Sequence, residues 1–440
     1  MKNCTLKKEL PSFSIEENQT IEFTGLLHSF RIMSFGVFLF VRTENYLIQC
    51  VAEKSTINSE ELKKESFIKI KGLVVSANIK DKMINPNYLE IKVSECVILH
   101  KSECEVFPLE ISKKEIDSQL TNIFNYRQLT LRNLKLKSIF KIQSEVEMAF
   151  SNALIKLGFT KINSPKIVHT GAEGGSEVFS IKYFEETLYL AQSNQVYKQT
   201  MVPVFGKVFE VNPVYRAEKF NTSRHLNEYI SLDIEMKLNH SFEELMEVEV
   251  FVLNEIFQTL KQNCQYEINL LELEIPNIEN YIVLKFEEVH QIVLKEYGLN
   301  YTEENDLAPE EERLICEYAK NKFNTEFVFV THYPTSKRPF YAKSSLENPL
   351  ETESFDLLFR GIEITTGGER IYSLSELKEK MDSLGIAKEN FVEYLKIFEY
   401  GMPKHGGFGL GLERLVSKIC NLENVKEASL FPRDRSRFTP

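Results

Sequence analysis

With 440 residues, 53 Lys+Arg against 64 Asp+Glu and a formal net charge of −11, the chain is acidic and longer than one core usually serves, so two or three domains are expected. That balance excludes indiscriminate nucleic-acid binding while leaving room for local basic patches. No apolar run is long enough to span a bilayer, so no membrane association is expected.

Residues 1–20 are polar, lack the apolar stretch of a signal peptide and are expected to be mobile. Seven scattered cysteines (Cys4, Cys50, Cys96, Cys104, Cys264, Cys316 and Cys420) form no CxxC pair and no Cys/His cluster. They indicate reduced thiols in a cytoplasmic protein rather than a disulfide framework or a zinc site.

From 21 to 104 the chain carries five short β-like runs: IEFTGLLHSF, FGVFLFVR, YLIQCVA, FIKIKGLVVSA and LEIKVSECVIL. With one polar helical stretch at SEELKKE, they suit a small closed barrel of the OB-fold kind. Phe38, Phe40 and Arg42 alternate on one of these strands and Gln49 lies on the next. Aromatics stack on unpaired bases, and amides or guanidinium groups read base edges, although barrel-core packing explains the aromatics equally well.

Residues 105–133, broken at Pro108, read as a linker. The run NLKLKSIFKIQSEVEMAFSNALIKLGF is then a long amphipathic helix ending at Gly158, followed by a strand-like segment that stops at Pro165. Together they make a plausible dimer-forming face. Over 134–440, β-rich runs alternate with helices that begin at capping-box spacings, Ser241/Glu244 and Ser373/Glu376. A small helical insertion occupies about 274–323. Without a βαβ rhythm, the pattern favours an α+β domain around a largely antiparallel sheet flanked by helices. No P-loop or Rossmann fingerprint occurs, so a nucleotide site must be built differently.

Three stretches carry the chemistry. PVYRAEKFNTSRHLNEY (213–229) reads as strand, polar loop, strand, with Arg216 and Glu218 two apart and therefore on one face of a strand. SFDLLFRGIEITTGGER (354–370) holds Asp356 and Glu363 seven apart, an odd spacing that aims them at opposite faces of a straight strand. A turn or bulge at Gly361 would bring both carboxylates to one site, as Mg²⁺ requires when it shares its coordination with substrate phosphates. GGFGLGLERL (406–415) alternates glycines at 407, 409 and 411, baring one strand face before a helix that carries Arg414. Two further stretches, EGGSEVF (173–179) and LAQSNQVYKQ (190–199), complete the set; in the second, Gln195 and Lys198 share a helix face. Singly, each stretch is also compatible with an exposed hairpin, unrelated surface acids or close sheet packing.

Taken in order, the helix ending near Pro165, YRAE…RHLNEY and GLGLER resemble motifs 1, 2 and 3 of class II aminoacyl-tRNA synthetases. With the N-terminal barrel and the terminal LFPRDRSRFTP, the chain is similar to aspartyl-tRNA synthetases of the archaeal/eukaryotic type from about residue 20 to 440. The resemblance implies ATP, L-aspartate and tRNA(Asp) as substrates, Mg²⁺ as cofactor, and a homodimer with Pro165 at its interface.

It further implies a role for each matching residue. Arg216 would hold the ATP α-phosphate and the aspartate carboxylate. Glu218, Arg224, His225, Leu226 and Gly411 would contact the nucleotide, with Tyr229 stacked on adenine and Arg414 on the γ-phosphate. Asp356, Glu363 and Thr366 would surround the metal, Glu363 also meeting ATP and Thr366 the aspartate. Glu173 would lie on a loop closing over the amino acid, with Ser193 and Gln195 lining its pocket. Lys198 and Arg370 would grip its side-chain carboxylate, oriented by Asp233. Phe38, Gln49 and Glu90 match anticodon-contacting positions.

The chain departs from that pattern at four places: Asn194 and Lys404 stand for prolines, Glu369 for Gln and Tyr372 for His. Three alternatives stay open. A non-discriminating enzyme would also charge tRNA(Asn). An asparaginyl-tRNA synthetase shares the architecture, but a neutral amide would leave Lys198 and Arg370 as buried unpaired charge. A non-catalytic RNA-binding paralogue would be expected to have lost one of the ATP-binding residues.

Overall fold

The structure is a computed structural model and describes residues 17–44, 46–85, 87–169, 178–219, 221–301 and 304–439. Its contacts divide the chain into two units, Met1–Lys137 and Ser138–Pro440. Most of the N-terminal polar segment and Glu173 lie outside the described residues.

The first unit is built on five strands, β1 (Thr20–Ile32), β2 (Gly36–Arg42), β3 (Leu47–Glu53), β4 (Phe67–Ser76) and β5 (Leu89–His100). They close into a barrel in the order β1-β2-β3-β5-β4. Alternating apolar positions fill it: Ile68, Ile70 and Val74 point inward from β4, against Leu27, Leu39 and Ile91. Gly72 lets β4 and β5 approach, because a Cβ there would sit 2.3 Å from the Lys92 carbonyl oxygen.

Arg42 is not placed to read a base from the barrel surface. It is buried, bound through two nitrogens to Glu65 at 3.0 and 2.7 Å, and 2.9 Å from His28 Nδ1. A buried cation needs that partner, so Arg42 is an internal strut of the barrel. The stretch SEELKKE yields only one 3₁₀ turn, Ser59–Glu61, and the segment after the barrel contains two short helices, Leu120–Asn125 and Arg127–Thr130.

The second unit contributes β6 (Thr160–Lys161), β7 (Ile167–Val168), β8 (Ser180–Tyr183), β9 (Glu186–Leu190), β10 (Lys207–Tyr215), β11 (Glu228–Lys237), β12 (Ile282–Lys285), β13 (Phe327–Thr331), β14 (Ser354–Phe359), β15 (Ile362–Glu369) and β16 (His405–Gly411). Eight of them form one sheet in the order β12-β13-β14-β15-β16-β11-β10-β6. The six central strands pair antiparallel, and β12 and β6 add in parallel at the edges. Phe257, on the helix Glu243–Asn263, packs against Phe327, which stacks on Phe359 with ring centroids 4.6 Å apart.

The helix Leu134–Lys156 ends as the sequence suggests, with Gly158 at φ 79°, open to glycine but strained for other residues. The cap at Ser373 forms through its side chain. The cap at Ser241 does not: the helix starts after Phe242, and Glu244 reaches back to the amides of Asn239 and His240 instead. Residues 274–323 contain β12 and the helices Phe286–Tyr297 and Pro309–Phe323.

Candidate active site

The first chemical stretch differs from its expected strand. β10 ends at Tyr215, so Arg216 and Glu218 lie just beyond it in irregular chain. Asn227 holds them there, receiving the Arg216 N–H on its carbonyl at 2.9 Å and donating its side-chain amide to the carbonyls of Arg216 (2.6 Å) and Glu218 (3.2 Å). The Arg216 guanidinium lies 5.8 Å from the centre of the Tyr229 ring. In the loop, the Thr222 hydroxyl binds His225 Nδ1 at 2.6 Å, and His225 Nε2 stands 3.7 Å from Glu218. Leu226 is buried, and Val425 donates its amide to the Ser223 carbonyl, bracing the loop from the C-terminal side.

The odd spacing of Asp356 and Glu363 is resolved by two features. Arg360 and Gly361 turn the chain at φ 48° and 81°, and the register slips between Leu357, opposite Thr365, and Leu358, opposite Glu363. The extra residue, Ile364, changes the parity of the strand, so Glu363 shares a site with Thr366, which faces Asp356 directly. The Thr366 hydroxyl donates to Glu363 at 2.9 Å, and Arg414 reaches the Glu363 carbonyl (3.0 Å) and carboxylate (3.3 Å). Burial pushes Asp356 up to about 6, opposed by Arg338 and reinforced by the nearby Glu363 anion. Burial would also raise Glu363, but the Arg414 cation, the Thr366 hydroxyl and the Arg338 and Arg216 cations together outweigh it, and the carboxyl sits below its ordinary range. Arg338, absent from the residues singled out above, binds Asp356 at 2.8 Å and lies 3.9 Å over the Tyr333 ring.

The residues expected to hold the amino acid gather around β11. Lys198, on the helix Gln195–Phe205, donates to Asp233 at 2.9 Å and stands 3.5 Å from Glu235. Arg370 donates Nε to Glu235 at 3.0 Å and Nη2 to the Gly407 carbonyl at 2.9 Å, with Gln195 at 3.5 Å. Glu235 is fully buried; burial alone would raise its pKa, and Arg370 and Lys198 hold it low instead. The two cations are therefore balanced by two carboxylates of the chain, so the expectation that an amide substrate would leave them unpaired does not hold. Sequence reasoning missed Glu235, whose only signal is its place two residues after Asp233 in SLDIEMK.

The glycines of β16 explain how those carboxylates fit. Gly409 is opposite Asp233 and Gly407 opposite Glu235. A Cβ at Gly407 would lie 2.3 Å from the Glu235 carboxylate and 2.1 Å from the Ile234 carbonyl oxygen. The bare strand face is thus occupied at Gly407 by a neighbouring side chain. At Gly411 the nearest atoms are those of Arg414, at 3.7 Å.

Asn194 accounts for its own departure from the resembling pattern. Its side-chain amide donates to Glu210 at 2.8 Å, and Glu210 also accepts from Ser164 N (2.7 Å), Ser164 Oγ (2.8 Å) and Lys166 (3.0 Å). The start of the pocket helix is thereby tied to the residues flanking Pro165, which is itself exposed. Ser193 accepts the Gln195 amide at 3.2 Å, fixing the first turn of that helix. In the barrel, Gln49 is paired with Phe40 across the strands and donates to Glu90 at 2.9 Å, while Phe38 meets the exposed Phe35 edge-on at 5.8 Å.

A largely antiparallel sheet thus carries Arg414 on Glu363, two acids beside a threonine, and Lys198 and Arg370 braced by Asp233 and Glu235. The family model of class II tRNA synthetases (D, K and N) matches residues 119–435, and the chain belongs to that family. An aspartate–tRNA(Asp/Asn) ligase of Thermus thermophilus is 42% identical over 423 residues, covering 96% of this chain and 97% of that one. One of Deinococcus radiodurans is 40% identical over 442 residues, covering 99% and 98%. The crystal structure of asparaginyl-tRNA synthetase from Pyrococcus horikoshii with asparaginyl-adenylate superposes with a TM-score of 0.87 at 27% identity, covering 96% of this chain and 97% of that one. Among the described residues, no helix is long and apolar enough to cross a membrane.

Proposed function

We propose that the chain is an aspartate–tRNA ligase, activating L-aspartate with ATP and transferring it to the 3′ end of tRNA(Asp). The aspartate carboxylate attacks the α-phosphorus, pyrophosphate leaves, and the tRNA hydroxyl then attacks the acyl-adenylate. No nucleophilic side chain is needed; positioning and charge neutralisation supply the catalysis. Arg216 and Arg414 meet the phosphates, Tyr229 stacks on the base, and Glu218, Arg224, His225, Leu226 and Gly411 line the nucleotide. Thr366, Ser193, Gln195 and Asp233 line the amino-acid pocket.

The observation that carries the amino-acid assignment is Arg370. Three of its contacts fix it beside Lys198, yet its Nη1 has no partner among the described residues, leaving charged donors for a carboxylate. The two relatives at 42% and 40% identity are aspartate ligases, which supports the same choice.

Asp356, Glu363 and Thr366 fit Mg²⁺: they supply hard oxygen donors, and the two carboxylates are close enough for Glu363 to raise Asp356. Mg²⁺ takes one or two carboxylates and fills the rest of its shell from phosphates and water. When bound, that ion supplies neutralisation of phosphate charge.

Residues 21–104 act as the anticodon-binding domain through Phe38, Gln49 and Glu90, and 134–440 as the catalytic domain. The protein works in the cytoplasm as a homodimer joined near Pro165. A second reading, charging of tRNA(Asn) as well, is favoured by both relatives being aspartate–tRNA(Asp/Asn) ligases.

The test is pyrophosphate exchange into ATP, run with aspartate and asparagine separately and without tRNA. Exchange with aspartate alone, abolished by Arg414→Ala, is expected. Exchange with asparagine, or near-normal exchange in the variant, overturns the reading. Charging of purified tRNA(Asp) and tRNA(Asn) then separates the two tRNA ranges.

A further inference from the structure

The helix Pro309–Phe323 opens with three consecutive glutamates that the nucleotide site as described leaves unused. Glu310 is exposed and pairs with Arg313 at 2.8 Å, and Glu311 caps its own helix by accepting the Ala308 amide at 3.1 Å. Glu312 does neither. It is buried, and its Oε2 accepts from Arg224 Nη2 and from the backbone N–H of Glu363, the latter at 2.9 Å. One carboxylate oxygen thus joins the loop of 213–229 to the start of the strand bearing Glu363 and Thr366.

The state of Arg224 shows what that contact does. Only its Nη2 is engaged; Nε and Nη1 have no partner among the described residues. A guanidinium held by one edge keeps its other donors aimed and available, with its rotamer entropy already spent. The second contact acts on Glu363, whose side chain already meets Thr366 and Arg414. Anchoring its amide fixes the backbone from which that carboxylate projects.

We propose that Glu312 is a positioning residue for nucleotide binding: it sets Arg224 to receive the ATP phosphates and fixes the strand start at Glu363. The inference rests on the aspartate-ligase reading for its nucleotide, and its test separates the two. Glu312→Gln keeps an acceptor for the Glu363 amide and removes the charge that holds Arg224.

ATP affinity is measured by calorimetry on the full chain, and KM for ATP and for aspartate by pyrophosphate exchange, for Glu312→Gln, Arg224→Ala and the double variant. A charge-assisted contact of this kind predicts about tenfold weaker ATP binding and a similar rise in KM for ATP, with KM for aspartate changed less than about twofold. The double variant is expected to be no worse than Arg224→Ala alone, because both singles remove one coupled unit. Additive losses, unchanged ATP affinity, or equal loss for ATP and aspartate with a lowered melting temperature overturn the proposal. Should Glu312→Gln fail to fold, Arg224→Lys, which keeps charge and loses the fork, tests the same contact by the same ATP readout: unchanged affinity overturns it. Wild-type protein that binds ATP but shows no aspartate-dependent exchange sinks the ligase reading, while the calorimetric comparison still decides the role of Glu312.

Discussion

Glu369 and Lys404 form an ion pair at 3.1 Å, with the Glu369 side chain only 6% exposed and that of Lys404 33%. Both residues depart from the aspartyl-type pattern, which carries Gln and Pro at these positions, and each departure answers the other. Glu369 lies one residue before Arg370, yet Arg370 is held by Glu235 and Glu369 by Lys404. The added carboxylate therefore does not compete for the Arg370 guanidinium. Lys404→Ala leaves a buried anion without its cation and is expected to cost about 1–3 kcal/mol by denaturant titration. Adding Glu369→Gln should recover most of that loss. KM for aspartate should stay near wild type in both.

Glu235 is expected to control aspartate affinity. Glu235→Gln keeps an acceptor for Arg370 Nε and removes the charge that balances Arg370 and Lys198. A charged hydrogen bond of about 1.5–3 kcal/mol corresponds to a rise of roughly ten- to a hundredfold in KM for aspartate. KM for ATP should change far less, and exchange kinetics at varied concentrations of each substrate read both.

Two glycines of β16 should respond oppositely to a methyl group. Gly407→Ala places a Cβ 2.1 Å from the Ile234 carbonyl oxygen, so backbone must move and soluble expression should fall or stability drop by about 3 kcal/mol or more. Gly411→Ala meets nothing closer than 3.7 Å at φ −77°, and its melting temperature should match wild type. A stable Gly407→Ala would contradict the close pairing of β11 and β16.

The second unit should lose stability as pH rises from about 4.5 to 8, in part because of Glu249. This carboxyl is fully buried, and burial pushes it up to about 8, with the Thr365 hydroxyl opposing. Between its unfolded value and 8 the native state binds a proton that the unfolded chain has released, so each pH unit removes up to about 1.4 kcal/mol. Below that window both states are protonated and the contribution is fully present. Glu249→Gln should accordingly raise the melting temperature at pH 8 and change it little at pH 5.

Phe38→Ala should weaken tRNA charging and spare aspartate activation. Loss of one stacking surface is worth about 1–3 kcal/mol, or roughly ten- to a hundredfold in KM for tRNA. Equal loss in exchange and charging would contradict the division of labour between the barrel and the sheet domain.

The elements that local pattern encodes were legible in the sequence. Alternating apolar residues marked all five barrel strands, and turn-forming and capping residues marked Gly158 and Ser373. Residues within one short run were also legible as neighbours, as with Thr222, His225 and Glu218. What escaped depends on which strands become neighbours. Glu235 meets Arg370 across 135 positions only because β16 brings β15 and β11 together. Arg338 meets Asp356, and Glu312 meets Arg224, through equally non-local packing. The odd spacing of Asp356 and Glu363 called for a turn or bulge, but its place at Ile364 appears only when the partner strand is known. Arg42 looked like a surface reader because its alternation with Phe38 and Phe40 says nothing about the Glu65 that covers it.

The position of β16 has a kinetic consequence. It is the last strand of the large sheet in chain order, yet it lies between β15 and β11, which pair with it and not with each other. Until residues 405–411 arrive, the sheet is two separate fragments with open hydrogen-bonding edges, one holding Asp233 and Glu235 and the other leading to Arg370. Such long-range closure is slow and leaves exposed edges prone to intermolecular pairing. Refolding chains should thus regain secondary structure well before they regain aspartate activation, and a chaperone that shields strand edges should raise the yield of active enzyme more than its rate of helix formation.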